Sequence, residues 1–517
     1  MIKGCLSIIL IMFGLLNATF LCQSQNATNP VIFADVPDIS IVRVGDSFYM
    51  SSTTMHMAPG VPIMKSNDLI NWKIVNYAYD VLDTVDALTL KNGKNAYGRG
   101  SWASSIRYYN NTFYVSTFAQ TTGKTYVYST KDIEKGPWKA SSFSPSFHDN
   151  SLFFDDDDRV YLVYGNRRIS LVELNADLTG VKTGGTNQVI IENSSLPSGN
   201  DSGLGEGSQV FKIDGKYFIF NITWPKGGMR TVVIHRANKL TGPWEGRLAF
   251  QDLGVAQGGI VDTPEGTWYA YLFRDYGSVG RIPYIIPVKW EDGWPVIGVD
   301  GKVPEKLDLP DNKGLIPGIV ASDEFNRKKG DLALPLVWQW NHNPDNNRWS
   351  VTNRKGFLRL TTGRIDTILI TARNTLTQRT FGPQCQGSTC IDVSKMKEGD
   401  FAGLTLLQRK FGIVGVKFAN GTKSIVMINA QSGKPVEAEV VHLLKKTVYL
   451  KAECDFRNKT DIAHFFYSLD DKTWNPIGTP LKMEYSMPHF MVYRFGLFNY
   501  STKTPGGFVD FDWFRVG

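Results

Sequence analysis

Three acids carry the chemistry this sequence offers. Asp38 in Pro37-Asp38-Ile39-Ser40, Asp149 in His148-Asp149-Asn150-Ser151 and Glu206 in Gly205-Glu206-Gly207-Ser208 each stand at or just before the start of a repeated strand-turn-strand phrase. Three carboxylates meeting in one pocket cannot all stay ionised cheaply, and their mutual repulsion favours keeping a proton on at least one. Glycoside hydrolysis uses such a set: one carboxylate activates water while a protonated one donates to the leaving oxygen. Taken singly, each acid has a plainer reading. Asp38 would cap the turn after Pro37, Asp149 would make an Asx-turn, and Glu206 would be a solvated residue in a Gly-rich loop. Their shared registration on the repeat is what makes them a site.

Other chemistries are poorly served. The seven histidines are scattered, with no HxxxH or HExxH pair, which argues against a zinc hydrolase. Cys5 and Cys22 fall in or beside the N-terminal apolar run, leaving Cys385, Cys390 and Cys454. An odd remainder without repeated CxxC spacing leaves room for one disulfide in an oxidising compartment and suggests no cysteine-built catalytic site. The formal charge is only +7 over 517 residues and no basic run exceeds Arg327-Lys328-Lys329, so neither nucleic acid nor an anionic membrane surface is the expected partner.

The elements that must position the acids are hairpins. Five copies of the phrase begin at Ser40, Ser105, Ser151, Ser208 and Gly259, about 46 to 65 residues apart, close to one four-stranded propeller blade each. Their Asn, Asp and Gly turns supply the positive φ of two-residue hairpin loops. The run Asp155-Asp156-Asp157-Asp158 reads as one such turn, since it lacks the EF-hand spacing of a calcium loop. A second phrase, ending in Asn71-Trp72, Gly136-Pro137-Trp138 and Gly242-Pro243-Trp244, closes three of the blades. With 12% aromatic and 20% charged residues, the composition excludes disorder and coiled coil. The expected fold is all-β: a leader over 1–25, a five-bladed propeller over 26–301, a Pro/Gly/Asp-rich linker over 302–321 and a concanavalin-like β-sandwich over 322–517. The leader has the order of a cleaved secretory signal, and its apolar run is short for a membrane span, so a secreted or periplasmic protein without stable membrane insertion is expected. Its oligomeric state is not legible.

The phrases Asn29 to Ser40, Trp102-Ala103-Ser104-Ser105-Ile106-Arg107, Asp149 to Phe154, Gly205-Glu206-Gly207, Gln257 to Thr263, Gly280 to Tyr284 and Leu376 to Pro383 together resemble family 43 glycoside hydrolases of the subgroup with a C-terminal sandwich. The resemblance implies an inverting mechanism, with Asp38 as general base, Glu206 as general acid, and Asp149 tuning the acid and orienting the sugar. Glu206 must carry a proton to act, which burial and Asp149 would favour. Arg281 matches a sugar-hydroxyl-binding arginine, and Trp102 and Phe33 are candidates for the pocket wall, with propeller core as their plainer role. His56 and Gln257 complete the expected substrate contacts. No cofactor is implied. Many members carry a histidine before the Gln-Gly-Gly match that helps hold calcium in the axial channel; Ala256 stands there, which argues against that ion. The substrate would be a plant cell-wall oligosaccharide or polysaccharide, such as xyloglucan or arabinoxylan, losing terminal α-L-arabinofuranosyl residues. β-D-Xylosidase or dual activity is the alternative, because the two sugars present similar hydroxyls. A non-catalytic carbohydrate-binding protein is the alternative of another class, disfavoured by the presence of all three acids. In the sandwich, Trp338, Trp340 and His342 would line the pocket mouth or pack the core.

Overall fold

The computed structural model describes residues 27–200, 203–225, 227–328, 334–486, 489 and 491–517; the expected leader lies outside them. Five four-stranded antiparallel sheets are set around an axis, followed by two large sheets packed face to face. The innermost strands are Ser40–Val44, Ser105–Tyr109, Ser151–Phe154, Gly205–Ile213 and Ala256–Asp262. Each touches its neighbours in turn and the fifth returns to the first, so the ring is closed. Two of the hairpin turns show why the sequence folds this way. Asn110-Asn111 and Asp214-Gly215 have positive φ at both positions, the geometry whose twist matches paired strands. The aspartate run is likewise a hairpin turn, anchored by Lys212 Nζ on Asp155 Oδ1 (2.8 Å) and Asp156 Oδ2 (2.7 Å).

The serine that opens each of the first three repeats has a physical task. Ser40 Oγ accepts the Ile106 N–H of the next blade (3.2 Å), Ser105 Oγ that of Leu152 (3.2 Å), and Ser151 Oγ that of Val210 (3.1 Å). Edge amides of neighbouring blades are thereby paired although no strand ladder joins them. Arg107 reaches across this region, donating to Ser151 Oγ, Gln209 Oε1 and the Val210 carbonyl. Burial lowers its pKa to about 10. A guanidinium among the innermost strands, together with Ala256, which offers no side-chain ligand atom, makes a poor setting for a channel calcium.

The segment from 302 to 321 folds back along the propeller. Lys306–Leu307 pairs with Ala27–Thr28, the Ile74 N–H donates to the Gly318 carbonyl (3.0 Å), and Ile319 packs in one cluster with Trp72. The sandwich core gathers Phe325, Trp338, Leu404, Val414, Phe495 and Phe514. Trp338 and Trp340 belong to this interior, Trp338 donating from Nε1 to Asp323 Oδ2 and Trp340 packing on Trp349. Cys385 and Cys454 stand opposite each other on paired strands, and both, like Cys390, are buried free thiols.

Propeller and sandwich are joined by backbone pairing. Met57–Ala58, from the first blade, forms the edge strand of an eight-stranded sandwich sheet by pairing with Gln339–Asn341. Around it, Gln339 Nε2 donates to Thr54 Oγ1 and the Pro59 carbonyl, and Arg379 Nε donates to the Asp35 carbonyl. His56, Tyr97, His342 and His489 pack ring against ring at this junction, with His56 Nε2 3.1 Å from Asn341 Oδ1. Burial holds all three imidazoles neutral, and they discourage one another's charging; His489 is lowered to about 3.

Because these values lie below the ordinary histidine value of about 6.5, the unfolded chain takes up protons that the folded one refuses, and the stability involved is lost as pH falls below 6.5. Asp149, whose pKa is raised, works in the opposite sense, so the check is a difference. Between about pH 7.5 and 5.5, His489→Gln should lose about 1 kcal/mol less stability than the wild type, measured by urea unfolding at both pH values.

Candidate active site

Asp38, Asp149 and Glu206 each stand two residues before a repeat serine, Ser40, Ser151 and Ser208, and therefore at the same end of the ring. The backbone there passes through the left-handed region at Asp38 (φ 52°), Asp149 (φ 47°), Gly207 (φ 67°) and Gln257 (φ 59°). Such residues cost energy in a strand and cluster where side chains must be aimed out of the ladder. Bulges between Glu206 and Gln209 and between Ala256 and Gly258 turn the fourth and fifth blades in the same way.

Asp38 is 8% exposed. Its Oδ1 accepts from Gln257 Nε2 (3.0 Å) and its Oδ2 from Arg281 Nη1 (3.3 Å). Burial raises its pKa, Arg281 opposes the rise and the charge of Glu206 adds to it. Arg281 is itself held by Asp35, whose buried carboxylate accepts the Arg281 backbone N–H at 2.9 Å. Asp149 is raised to about 7 by burial, with His148 opposing and Glu206 and Asp38 adding. Its Oδ2 accepts the Gly207 N–H (3.0 Å), which ties the second acid to the turn that carries the third. Glu206 is more open, its side chain 20% exposed, and its Oε2 lies 2.9 Å from both His148 Nε2 and Asn166 Nδ2. Burial works against charge on His148, but Asp149 and Glu206 outweigh it and raise its pKa to about 9.

The structure thus brings together Asp38, Asp149, Glu206, Arg281 and Gln257. Gln257 and Arg281 both hold the carboxylate of Asp38, a role nearer to the reacting groups than the general sugar contact expected of them. Trp102 is half-buried among Met55, Met57, Met491 and Phe118, and Phe118 packs edge-on against His148. Phe33 sits against Tyr276 and Gly382, at the seam with the sandwich. His56 is separated from this group: it is 1% exposed and faces Asn341 and His342, because the strand that follows it belongs to the sandwich sheet. His342 lies in the same cluster, so neither it nor Trp338 nor Trp340 forms the mouth. From the sandwich, the half-buried Tyr485 is in electrostatic reach of Arg281, Asp35 and Asp38, with its hydroxyl pKa raised by burial, and Arg379 and Arg494 act on Asp35. His148, Asn166, Asp35 and Tyr485 were not among the expected residues; His148 and Asp35 carried a signal, as titratable residues in the phrases around Asp149 and Asp38.

Among the described residues, one His/Asp/Glu group is compact enough to surround a cation, namely His148, Asp149 and Glu206. Its imidazole is hydrogen-bonded to one carboxylate and charge-paired with the other, an arrangement suited to handling protons.

Buried acids poised against a guanidinium and an imidazole, at one end of a propeller, define a glycoside hydrolase site. Residues 27–295 match the model of glycosyl hydrolases family 43 and residues 322–517 that of the beta xylosidase C-terminal concanavalin A-like domain, and the chain belongs to family 43. A solved Bacteroides eggerthii structure described as a bifunctional GH43-CE superposes with a TM-score of 0.94 at 64% identity over 96% of this chain; this chain spans 64% of the length of that one. A beta-xylosidase of Formosa agariphila is 27% identical, the match covering 94% of this chain and 89% of the relative. A non-reducing end alpha-L-arabinofuranosidase of Bacteroides ovatus is 29% identical over 70% of this chain and 69% of its own.

Gly207 tests how tightly the acids are registered. A Cβ there would lie 2.7 Å from Gln257 Cγ on a backbone of positive φ. Gly207→Ala should displace Gln257 from Asp38 and lower kcat at least about tenfold while costing about 1 kcal/mol or a little more in stability, read from hydrolysis rates and thermal melts run together.

Proposed function

We propose that the chain is an exo-acting, inverting glycosidase that releases non-reducing-end α-L-arabinofuranosyl residues from plant cell-wall saccharides such as arabinoxylan or xyloglucan, and that it works outside the cytoplasm. The observation that carries this reading is the unequal treatment of two acids. Asp38 is clamped by Gln257 and Arg281, which favours a carboxylate ready to take a proton from water. Glu206 has one oxygen engaged by His148 and Asn166, leaving Oε1 to carry the proton for the leaving group. Water attacks the anomeric carbon as its proton passes to Asp38. The glycosidic C–O bond breaks with its electron pair staying on the leaving oxygen, which takes the proton of Glu206. Asp149, whose Oδ2 accepts the Gly207 N–H, holds the turn that carries Glu206.

A second reading keeps the machinery and exchanges the sugar for β-D-xylose; the names of the Formosa relative and of the matching sandwich model favour it. Aryl α-L-arabinofuranoside and aryl β-D-xyloside decide between them. The arabinoside should be the better substrate by kcat/KM, and the reverse order would establish the second reading. Asp38→Ala should lower kcat/KM on both by at least about a thousandfold. Undiminished activity in that variant, or a product that keeps its anomeric configuration by NMR, would contradict the mechanism.

A further inference from the structure

The group whose position no role yet explains is His148. It comes from the turn leading into the third blade, yet its Nε2 lies 2.9 Å from Glu206 Oε2 on the fourth and 3.8 Å from Asp149 Oδ2. Asn166, at the end of the strand Val160–Asn166, reaches the same Oε2 at 2.9 Å. Two donors on one oxygen use its lone-pair directions, and a hydroxyl hydrogen there would collide with both, so the acid's proton belongs on Oε1.

We propose that His148 is a positioning residue for the general acid: its imidazolium pins Oε2, directs the transferable proton to Oε1 and stabilises the carboxylate that Glu206 becomes on giving that proton up. The inference rests on Glu206 being the acid. In the step itself, the Glu206 Oε1–H bond breaks as an O–H bond forms on the leaving oxygen, and the electron pair left on Glu206 is shared between Oε1 and an Oε2 already facing a cation. Such charge-assisted bonds are roughly twice as strong as neutral ones. A cation that compensates charge appearing only during the reaction lowers the barrier more than it strengthens substrate binding.

The surroundings keep His148 charged. Asp149, Glu206 and Asp38 face it, and the Phe118 ring packs on it edge-on at 5.3 Å. Each of these carboxyls, when ionised, raises the imidazole pKa against the opposing effect of burial, so charge on that ring is favoured by the same groups it faces. One third of its side chain is exposed, so the charge is partly solvated and its loss should not unfold the blade.

His148→Gln keeps a donor near Oε2 and removes the charge; His148→Lys restores a charge. On an unactivated arabino-oligosaccharide, His148→Gln should lower kcat about tenfold with KM little changed, whereas on 2,4-dinitrophenyl α-L-arabinofuranoside, which needs little protonation, kcat should stay within about threefold of the wild type. The alkaline limb of kcat/KM, a property of the coupled cluster, should move up by about one pH unit, because carboxyls without a neighbouring cation hold their protons to higher pH. His148→Lys should bring the limb back towards the wild type. A limb that does not move, with equal losses on both substrates and an unchanged melting temperature, would overturn the proposal. Glu206→Ala run alongside separates the two levels: wild-type activity of that variant on the oligosaccharide would remove the acid assignment itself, whatever His148 does.

Discussion

The structure depends on a concentration of negative charge that water cannot reach well. Asp35, Asp38 and Asp149 are almost wholly buried beside Glu206, and for each of the three burial is the largest influence on its titration. A buried carboxylate stripped of its partner costs about 3–5 kcal/mol, so an uncompensated cluster would pull the ring apart. Compensation comes from distant points of the chain. Arg281, from the fifth blade, serves Asp38 and is steadied by Asp35; His148, from the third, stands between Asp149 and Glu206. The charges hold one another only while the ring is closed, and the serine-to-amide bonds between the first blades belong to the same requirement. Stability and chemistry are therefore two readings of one electrostatic balance.

Much of this could be read from the chain alone. The hairpins were legible because pairs such as Asn110-Asn111 and Asp214-Gly215 have backbone preferences that act within two residues. The three acids were legible because a propeller turns equal positions in a repeat into neighbours in space. Arg281 and Gln257 were visible as members of the site, although their common task of gripping Asp38 was not. That task depends on the left-handed turn at Gln257 and the bulge beside it, which are settled by packing between blades.

What stayed hidden is what tertiary contact alone decides. Asn166 enters the site at the far end of a strand with no chemical motif around it. Tyr485 arrives from the other domain, nearly three hundred residues after Glu206. His56 misled in the opposite direction: its neighbours Met55 and Met57 pack with Trp102, but Met57–Ala58 leaves the propeller for the sandwich sheet and takes the imidazole with it. The residues from 302 to 321 carry the composition of a linker, and their Leu307 and Ile319 are nonetheless drawn against the propeller by the apolar surface that the N-terminal strand leaves open.

The donated strand Met57–Ala58 has a consequence for how such a protein can change over generations. Modular evolution by shuffling requires that a domain carry its whole fold within one continuous stretch of gene. Here an edge of the sandwich is encoded some 280 residues upstream, inside the first blade, and the orphaned edge of Gln339–Asn341 would be sticky without it. A sandwich copied into another context would leave part of itself behind, and a propeller freed of its sandwich would carry an idle strand in its first blade. The two halves are thus expected to be inherited together and to diverge as one unit, whatever further segments are fused around them.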